Sequence, residues 1–279
     1  MKAIELTRKL GGEWRGSYGM ICCPAHNDRT PSCKVEDGTN GIVVWCYSCE
    51  SSEIVVDALK ARGLWNGNAV SDFKVSRETI QEGHDRERRA DARRALQIFG
   101  EAKDPASTLA ELYLNKRGLT LPDTAVLRFH PNCPRGSDRQ PALIALITNY
   151  LTLEPQGIQR IFLSPDGKRD GIKMSWGIVS GGAIMISSWY GGPLYVAEGP
   201  EDAIALELTG RSPAWSLLGK AGIAGLPLLI GVNELRICAD NDEPGREAAL
   251  RCRDRWGTRA RILMPPSPHK DWAEAYEHG

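Results

Sequence analysis

The chain has 279 residues, of which 42% are hydrophobic and 25% are charged, as in an ordinary globular protein. Lysine plus arginine equals aspartate plus glutamate at 35 each, so a nucleic-acid partner would have to bind a local basic patch. No apolar run reaches the ~18 residues of a membrane span. The first residues carry an acid, Glu5, and no apolar signal-peptide core. The sequence therefore predicts a cytoplasmic protein without a membrane partner.

Composition and pattern divide the chain into four predicted segments of an α/β protein that is α+β overall. Eight cysteines are present, and five of them fall within positions 22–49, which is more typical of metal binding than of a disulfide framework. The segments are a cysteine-rich module at 1–65, a charged linker and helix at 66–104, a mixed region at 105–190 and a strand–helix alternation at 191–279.

The cysteine-rich module is predicted to contain a β-hairpin. Residues 32–35 and 42–45 have strand character, and Asp37-Gly38 and Asn40-Gly41 between them are strong turn signals. A helix at 53–62 should follow and end at Gly63.

Two ligand pairs flank this hairpin, and 19 residues separate them. Each pair has the spacing of a metal-binding knuckle, and three thiolates with one imidazole suit tetrahedral Zn²⁺. Four protein ligands leave no open position, so the predicted zinc is structural. Cys22 could replace its neighbour only by lengthening the first knuckle, and Cys33 is expected to pack as a small apolar residue. The predicted ligands are Cys23, His26, Cys46 and Cys49.

The middle of the chain is predicted to run from an exposed, charged helix into a mixed region. A helix is expected at 109–116, and strands are expected at 141–150, 157–163 and 183–187. From residue 191, apolar strands alternate with helices, which predicts a parallel, doubly wound sheet. The strands are expected at 194–197, 214–218, 235–239 and 261–264, and the helices at 200–209, 222–231, 243–256 and 272–277.

Three acids follow two of these strands. Glu198 comes directly after residues 194–197, and Asp240 and Asp242 come after residues 235–239. Ligands of doubly wound sheets gather at the carboxyl ends of the strands, so these carboxylates should meet there. Hard oxygen ligands of this kind fit Mg²⁺ or Mn²⁺ bound to phosphates. This chemistry serves both nucleotide joining and strand cleavage, and the residues alone leave the two open.

The first motifs resemble a known family. Cys23-Pro24-Ala25-His26, Arg29-Thr30-Pro31-Ser32 and Trp45-Cys46-Tyr47-Ser48-Cys49 resemble the zinc-binding domain of bacterial and phage DNA primases. Cys33 and Glu50-Ser51-Ser52-Glu53 depart from that pattern, where an aromatic residue and a glycine-rich stretch are usual. The zinc ligands are retained.

The acidic motifs extend the resemblance. Glu198-Gly199-Pro200-Glu201-Asp202 and Asp240-Asn241-Asp242-Glu243-Pro244-Gly245 resemble the E-G-x-x-D and D-x-D-x-x-G motifs of TOPRIM domains. The match implies that Glu198, Asp240 and Asp242 carry the catalytic metal, with Asp202 as a supporting acid. Lys270-Asp271-Trp272 resembles a third acidic element, in which Ala273 replaces the second acid and Glu274 is the candidate substitute.

The resemblance, which includes phage and plasmid primase-like proteins, implies a DNA primase: a DNA-directed RNA polymerase and nucleotidyltransferase of DNA replication. Its partners would be single-stranded DNA, nucleoside triphosphates and a separate replicative helicase, since the chain has no G-x4-G-K-[ST] phosphate loop. The alternatives are a TOPRIM-type metal-dependent nuclease and a non-catalytic, zinc-dependent DNA-binding protein. The candidate nucleic-acid or nucleotide ligands are Arg160, Lys168, Lys173 and Lys270.

Overall fold

The computed structural model describes residues 2–28, 30–38, 41–49, 51–65 and 77–278, with side chains from residue 85 onward in the last range. The chain forms two compact units, residues 1–78 and residues 79–279. Arg29, Glu50, part of the predicted turn at 39–40 and the predicted linker at 66–76 lie outside the described residues. The four predicted segment boundaries stay a prediction.

The first unit is a four-stranded antiparallel sheet with a helix at each end of its sequence. The predicted hairpin is confirmed, and its strands pair from Cys33 opposite Cys46 to Gly38 opposite Gly41. The predicted second helix is also confirmed, and Gly63 follows it with a φ of +65°. The elements are α1 (Ala3–Lys9), β1 (Glu13–Trp14), β2 (Tyr18–Ile21), β3 (Cys33–Gly38), β4 (Gly41–Cys46) and α2 (Glu53–Ala61).

The second unit begins with two helices and an antiparallel meander. Among the described side chains of the charged helix, a narrow apolar stripe that includes Ala95 and Ile98 is buried against Ile158 and Phe162 of the sheet. Its charged residues from 85 onward are exposed or half-buried, as the sequence predicts. The elements are α3 (Arg77–Glu101), α4 (Leu109–Asn115), β5 (Leu127–Arg135), β6 (Asp138–Asn149), β7 (Pro155–Phe162), β8 (Met174–Gly177) and β9 (Gly182–Met185).

The chain then alternates between strands and helices, as predicted. The four new strands are mutually parallel, and the sheet continues through β9 into the antiparallel meander, so the nine-stranded sheet is mixed. The parallel sheet is therefore confirmed for this region alone. The elements are β10 (Pro193–Ala197), α5 (Pro200–Leu208), β11 (Ala214–Ser216), α6 (Lys220–Gly225), β12 (Glu234–Cys238), α7 (Glu243–Trp256), β13 (Ala260–Leu263) and α8 (Trp272–His278).

Helices cover both faces of the parallel strands. Strands β10 and β12 are neighbours, but β10 connects to β11 on one side and β12 connects to β13 on the other. This is a topological switch point, where the loops at the carboxyl ends of the strands diverge and leave a crevice. The acids that follow β10 and β12 therefore lie at the position where doubly wound sheets bind ligands.

The structure differs from the sequence prediction at helix α6, which is shorter than predicted, and at strands β1, β2, β5 and β8, which were not predicted. Helix α6 ends at Gly225 instead of residue 231, because Pro227 forces Leu226 into an extended conformation. Strand β5 was not predicted, since it contains two prolines and a register shift between His130 and Cys133. Strand β8 was not predicted because its four residues do not alternate between buried and exposed positions. Within the described parts of the chain, no helix is both long enough and apolar enough to cross a membrane.

Candidate functional site

The four predicted zinc ligands converge in the first unit. The candidate ligand atoms of Cys23, His26, Cys46 and Cys49 all lie within 4.8 Å of one another. His26 Nδ1 is 2.9 Å and Cys23 Sγ is 3.6 Å from Cys49 Sγ. Hairpin pairing explains the convergence, because it places the end of β4 beside the loop that follows β2. Three thiols and one imidazole at these separations fit tetrahedral Zn²⁺.

Two further residues organise this cluster and were missed by the sequence analysis. Asp28 Oδ1 lies 2.5 Å from His26 Nε2, and the Cys23 amide donates to Asp28 Oδ2 over 2.8 Å. A carboxylate on the far nitrogen of a histidine fixes its ring and tautomer when the near nitrogen binds a metal. Ser32 contacts both Asp28 and Cys46 Sγ. The sequence signals were an acid two residues after the histidine and the last residue of the motif Arg29-Thr30-Pro31-Ser32.

Hydrogen bonds also favour a thiolate at Cys46. Burial opposes ionisation, but bonds from Ser32 and from the Cys49 backbone outweigh it and lower the pKa of Cys46 to about 7. Cys22 is exposed, whereas Cys33 is buried in the small core, as the sequence predicts. Neither belongs to the four-residue cluster.

The three predicted acids meet at the switch point, around a glycine. A Cβ atom at Gly245 would lie 3.0 Å from Glu198 Oε1, 3.1 Å from Asp242 Oδ1 and 2.9 Å from the Asp240 carbonyl oxygen. Gly245 is in the first turn of α7, which Asp242 caps by accepting a 2.8 Å hydrogen bond from the Gly245 amide. The glycine thus leaves the room in which carboxylates from two strands approach each other.

Glu198 and Asp240 make no direct ion pair among the described residues, although the Lys220 charge opposes the rise of both their pKa values. Burial, with repulsion from Asp242 and Asp202, raises the pKa of Glu198 to about 7. Burial, with repulsion from Glu198, Asp271 and Asp242, raises the pKa of Asp240 to about 7. Glu198 Oε1 and Asp240 Oδ1 are buried and have no hydrogen-bond partner among the described residues. Two buried, unpartnered carboxylate oxygens fit a divalent cation such as Mg²⁺.

Asp242 has a different environment. Its two oxygens lie 2.8 and 2.9 Å from the Lys220 ammonium, and this pair lowers the pKa of Asp242. Lys220 is the first residue of α6 and was not among the predicted site residues. Gly219-Lys220 has the Gly-Lys pair of a phosphate loop but lacks the Ser or Thr that should follow, so the motif did not predict a site at Lys220.

The supporting acid Asp202 lies beneath the cluster and is buried. Burial, together with Asp240, Asp271 and Glu201, raises its pKa to about 7. It accepts hydrogen bonds from the Ala273 amide at 3.1 Å and the Gly199 amide at 3.3 Å. Asp202 therefore ties the turn after β10 to the start of α8.

The segment around Ala273 corresponds to the third acidic element of the resemblance, and it contains the acids Asp271 and Glu274. Asp271 lies close enough to raise the pKa values of Asp240 and Asp202. Glu274 accepts a hydrogen bond from the Lys270 amide and donates its own amide to Asp271. The Asp271 carboxylate thus caps α8, and the Glu274 carboxylate is engaged by the Lys270 amide just before the helix.

A buried ion pair adjoins the cluster and was also missed. Glu201 is 3% exposed, accepts a 2.6 Å hydrogen bond from the Tyr113 hydroxyl and pairs with the Lys173 ammonium at 2.5 Å. Burial opposes ionisation, but Lys173 and Tyr113 outweigh it and lower the pKa of Glu201. Lys173 Nζ would also lie 3.1 Å from a Cβ at Gly199, so this predicted ligand is held beside the turn that carries Glu198.

The other predicted basic ligands are dispersed. Arg160 is buried, donates to the Pro134 carbonyl over 2.8 Å and stacks on Trp176. Lys168 is exposed and pairs with Asp166 at 3.1 Å. Lys270 is exposed and near enough to lower the pKa values of Glu198 and Asp242. The structure thus brings Lys173 and Lys270 to the acids, but not Arg160 or Lys168; their roles stay predictions.

Several solved structures are similar to the chain. The primase fragment of the bacteriophage T7 primase-helicase protein is 16% identical, with 91% of this chain and 94% of that chain covered and a TM-score of 0.44. The zinc-binding and RNA polymerase domains of Aquifex aeolicus primase are 15% identical, with 100% and 80% covered and a TM-score of 0.44. The E. coli primase catalytic core is 17% identical, with 68% and 74% covered and a TM-score of 0.44. No curated protein matches the chain.

Two family models match consecutive parts of the second unit. A domain of unknown function (DUF7146) matches residues 89–186, which include the second half of the charged helix and the antiparallel meander. The Toprim domain model matches residues 193–279, which include the four parallel strands and every acid around Gly245. Residues 193–279 of this chain are therefore a Toprim domain, preceded in the same chain by a Cys-His-Cys-Cys cluster that fits a zinc-binding domain.

Proposed function

We propose that the protein is a DNA primase, a nucleotidyltransferase that joins ribonucleotides into short primers on single-stranded DNA during DNA replication. The observation that carries the proposal is the convergence of Glu198, Asp240 and Asp242 at the switch point of a Toprim domain. The zinc-type cluster in the same chain supports it, because the sequence motifs of both parts resemble those of primases.

The acidic cluster would hold Mg²⁺ or Mn²⁺ through carboxylate oxygens. Such an ion, when bound, neutralises the charge of the α-phosphate and of the oxygens that attack and leave it. The chain's own residues then position the reactants. Lys173, fixed by Glu201 beside the turn that carries Glu198, and Lys270 lie near the acids without pairing with them and would bind nucleotide phosphates.

The partners follow from this chemistry. The zinc module would contact the single-stranded DNA template, and nucleoside triphosphates would bind at the Toprim acids. A replicative helicase that unwinds the DNA would be a further partner of such an enzyme. Arg160 and Lys168 are the candidate template contacts farther from the acids.

Primer synthesis tests the proposal directly. Purified protein would receive single-stranded DNA of mixed sequence, α-labelled ribonucleotides and Mg²⁺ or Mn²⁺. We expect short labelled products from the wild type and none from Asp240→Ala. The matched control is Asp254→Ala, which removes an exposed carboxylate from the same domain and should leave synthesis intact.

The zinc module has its own variant pair. Cys46→Ser should abolish synthesis on DNA, whereas Cys22→Ser, at an exposed cysteine outside the cluster, should not. Metal-dependent DNA cleavage that requires Asp240, without product synthesis, would favour a Toprim nuclease. DNA binding that requires Cys46, with neither reaction, would favour a non-catalytic DNA-binding protein.

A further inference from the structure

We propose that the Lys220 ammonium is a built-in cation of the acidic cluster, which holds Asp242 so that the cluster binds a single divalent ion at Glu198 and Asp240. The inference rests on the metal-binding part of the proposed function. Asp242, which the sequence predicts to be a metal ligand, would then bind the Lys220 ammonium instead of the ion.

The position of Lys220 is fixed by the fold. The turn before it, at Gly219, has a φ of +119° and donates its amide to the Glu198 carbonyl over 2.9 Å. The Ser216 hydroxyl donates to the same carbonyl over 3.0 Å. Lys220 therefore leaves a loop that is attached to the strand end carrying Glu198, and its side chain meets Asp242 after β12.

The hydrogen bonds of Asp242 are already made. Both of its oxygens contact the Lys220 ammonium, at 2.8 and 2.9 Å, and Oδ1 also accepts the Gly245 amide at 2.8 Å. Glu198 Oε1 and Asp240 Oδ1, by contrast, are buried without a hydrogen-bond partner among the described residues. Among these three acids, Asp242 alone is in direct contact with the ammonium, whereas Glu198 and Asp240 interact with its charge only at longer range.

The formal charges also favour a single divalent ion at Glu198 and Asp240. Lys220 offsets one of the three carboxylate charges that meet at the switch point, and the charges of Glu198 and Asp240 are then matched by one divalent ion. Two-metal sites hold their ions roughly 3.5–4 Å apart and share a carboxylate between them. A second ion bound to Asp242 would have to displace the ammonium or approach it at a distance where like charges repel strongly.

Manganese binding to the full, zinc-loaded chain tests the inference. Titration by calorimetry should give one bound Mn²⁺ per wild-type chain, with the six-line resonance spectrum of an isolated ion. Lys220→Ala should bind two Mn²⁺ and show the coupled spectrum of an ion pair. Two ions in the wild type, or one in Lys220→Ala, would overturn the inference.

Three further variants test whether the number of bound Mn²⁺ ions depends on Lys220 itself. Lys220→Arg keeps a cation beside Asp242 and should retain a stoichiometry of one. Lys270→Ala removes an exposed lysine near the same acids and should also retain one, whereas two ions in either variant would contradict the role given to Lys220. Asp240→Ala should abolish binding. Unchanged binding in Asp240→Ala would refute the proposed metal site itself, whereas two ions in the wild type would refute only the role of Lys220.

Discussion

The ion pair of Lys173 with Glu201 allows a quantitative prediction. Lys173→Met keeps most of the side chain's length but leaves Glu201 buried without its cation, with the Tyr113 hydroxyl as its remaining side-chain partner. Removal of one partner of a buried ion pair costs roughly 3–5 kcal/mol. The Lys173 side chain is 25% exposed, so water relieves part of the cost and we expect about 3 kcal/mol.

Thermal melting measures this loss. Residues 79–279 form one compact unit, and in domains of that size 1 kcal/mol shifts the Tm by roughly 2–4 °C. Lys173→Met should therefore lower the Tm of this unit by about 6–12 °C at pH 8. The double variant with Glu201→Gln should recover most of the loss, because the amide can accept the Tyr113 hydrogen bond without a charge.

The loss of stability caused by Lys173→Met should depend on pH. In the wild type the pKa of Glu201 is lowered, so the pair stabilises the fold above the pKa of an unfolded glutamate, and this stabilisation is lost on acidification. Without Lys173, burial would raise the pKa of Glu201, so the carboxyl would take up a proton as the pH falls. The difference in stability between wild type and variant should thus be largest at pH 8 and shrink towards pH 5.

Lys168→Met is the matched control. The Lys168 side chain is 71% exposed and its pair with Asp166 lies at the surface, where such pairs contribute roughly 0–1 kcal/mol. Equal destabilisation by Lys173→Met and Lys168→Met, or a loss for Lys173→Met that is independent of pH, would refute the reasoning.

Three further predictions concern the metal centres. Chelation of zinc should unfold the first unit, because its core is small, and should leave the second unit folded. Hydrogen exchange measures the protection of each unit separately. Protection that is retained in the first unit after chelation would contradict this prediction. Mn²⁺ affinity should fall on acidification from pH 8 to pH 6, by about tenfold for each carboxylate that must lose a proton, because the pKa values of Glu198 and Asp240 are raised to about 7. A flat calorimetric profile would refute that. Gly245→Ala should weaken Mn²⁺ binding by roughly tenfold, or about 1.4 kcal/mol, whereas Gly225→Ala, with no atom within 4 Å of its Cβ, should not.

Local patterns predicted the ligands that come from strand ends and knuckles. The C-x2-H and C-x2-C spacings identified the zinc-type cluster, and strand–helix alternation placed Glu198 and Asp240 at one end of a sheet. Both predictions depended on short-range geometry: two-residue spacings within a knuckle, and the common direction of parallel strands.

The residues that adjust the charges of the site were not predictable in this way. Glu201 and Lys173 are 28 residues apart, and Lys220 and Asp242 are 22 apart, so each pair exists only once the sheet has formed. Strand β5 was missed for a related reason, since Pro131 lies in a local irregularity and Pro134 is tolerated because β5 pairs with β6 alone.

The retention of a γ-phosphate label tests the central claim most directly. A primer begun de novo keeps the triphosphate of its first nucleotide, whereas extension of an existing end releases it. With γ-labelled ribonucleotides and unprimed single-stranded DNA, we predict one label per short product and no labelled product from Asp240→Ala. Products that incorporate only the α-label, or cleaved DNA without any labelled product, would contradict the assignment of this chain as a primase.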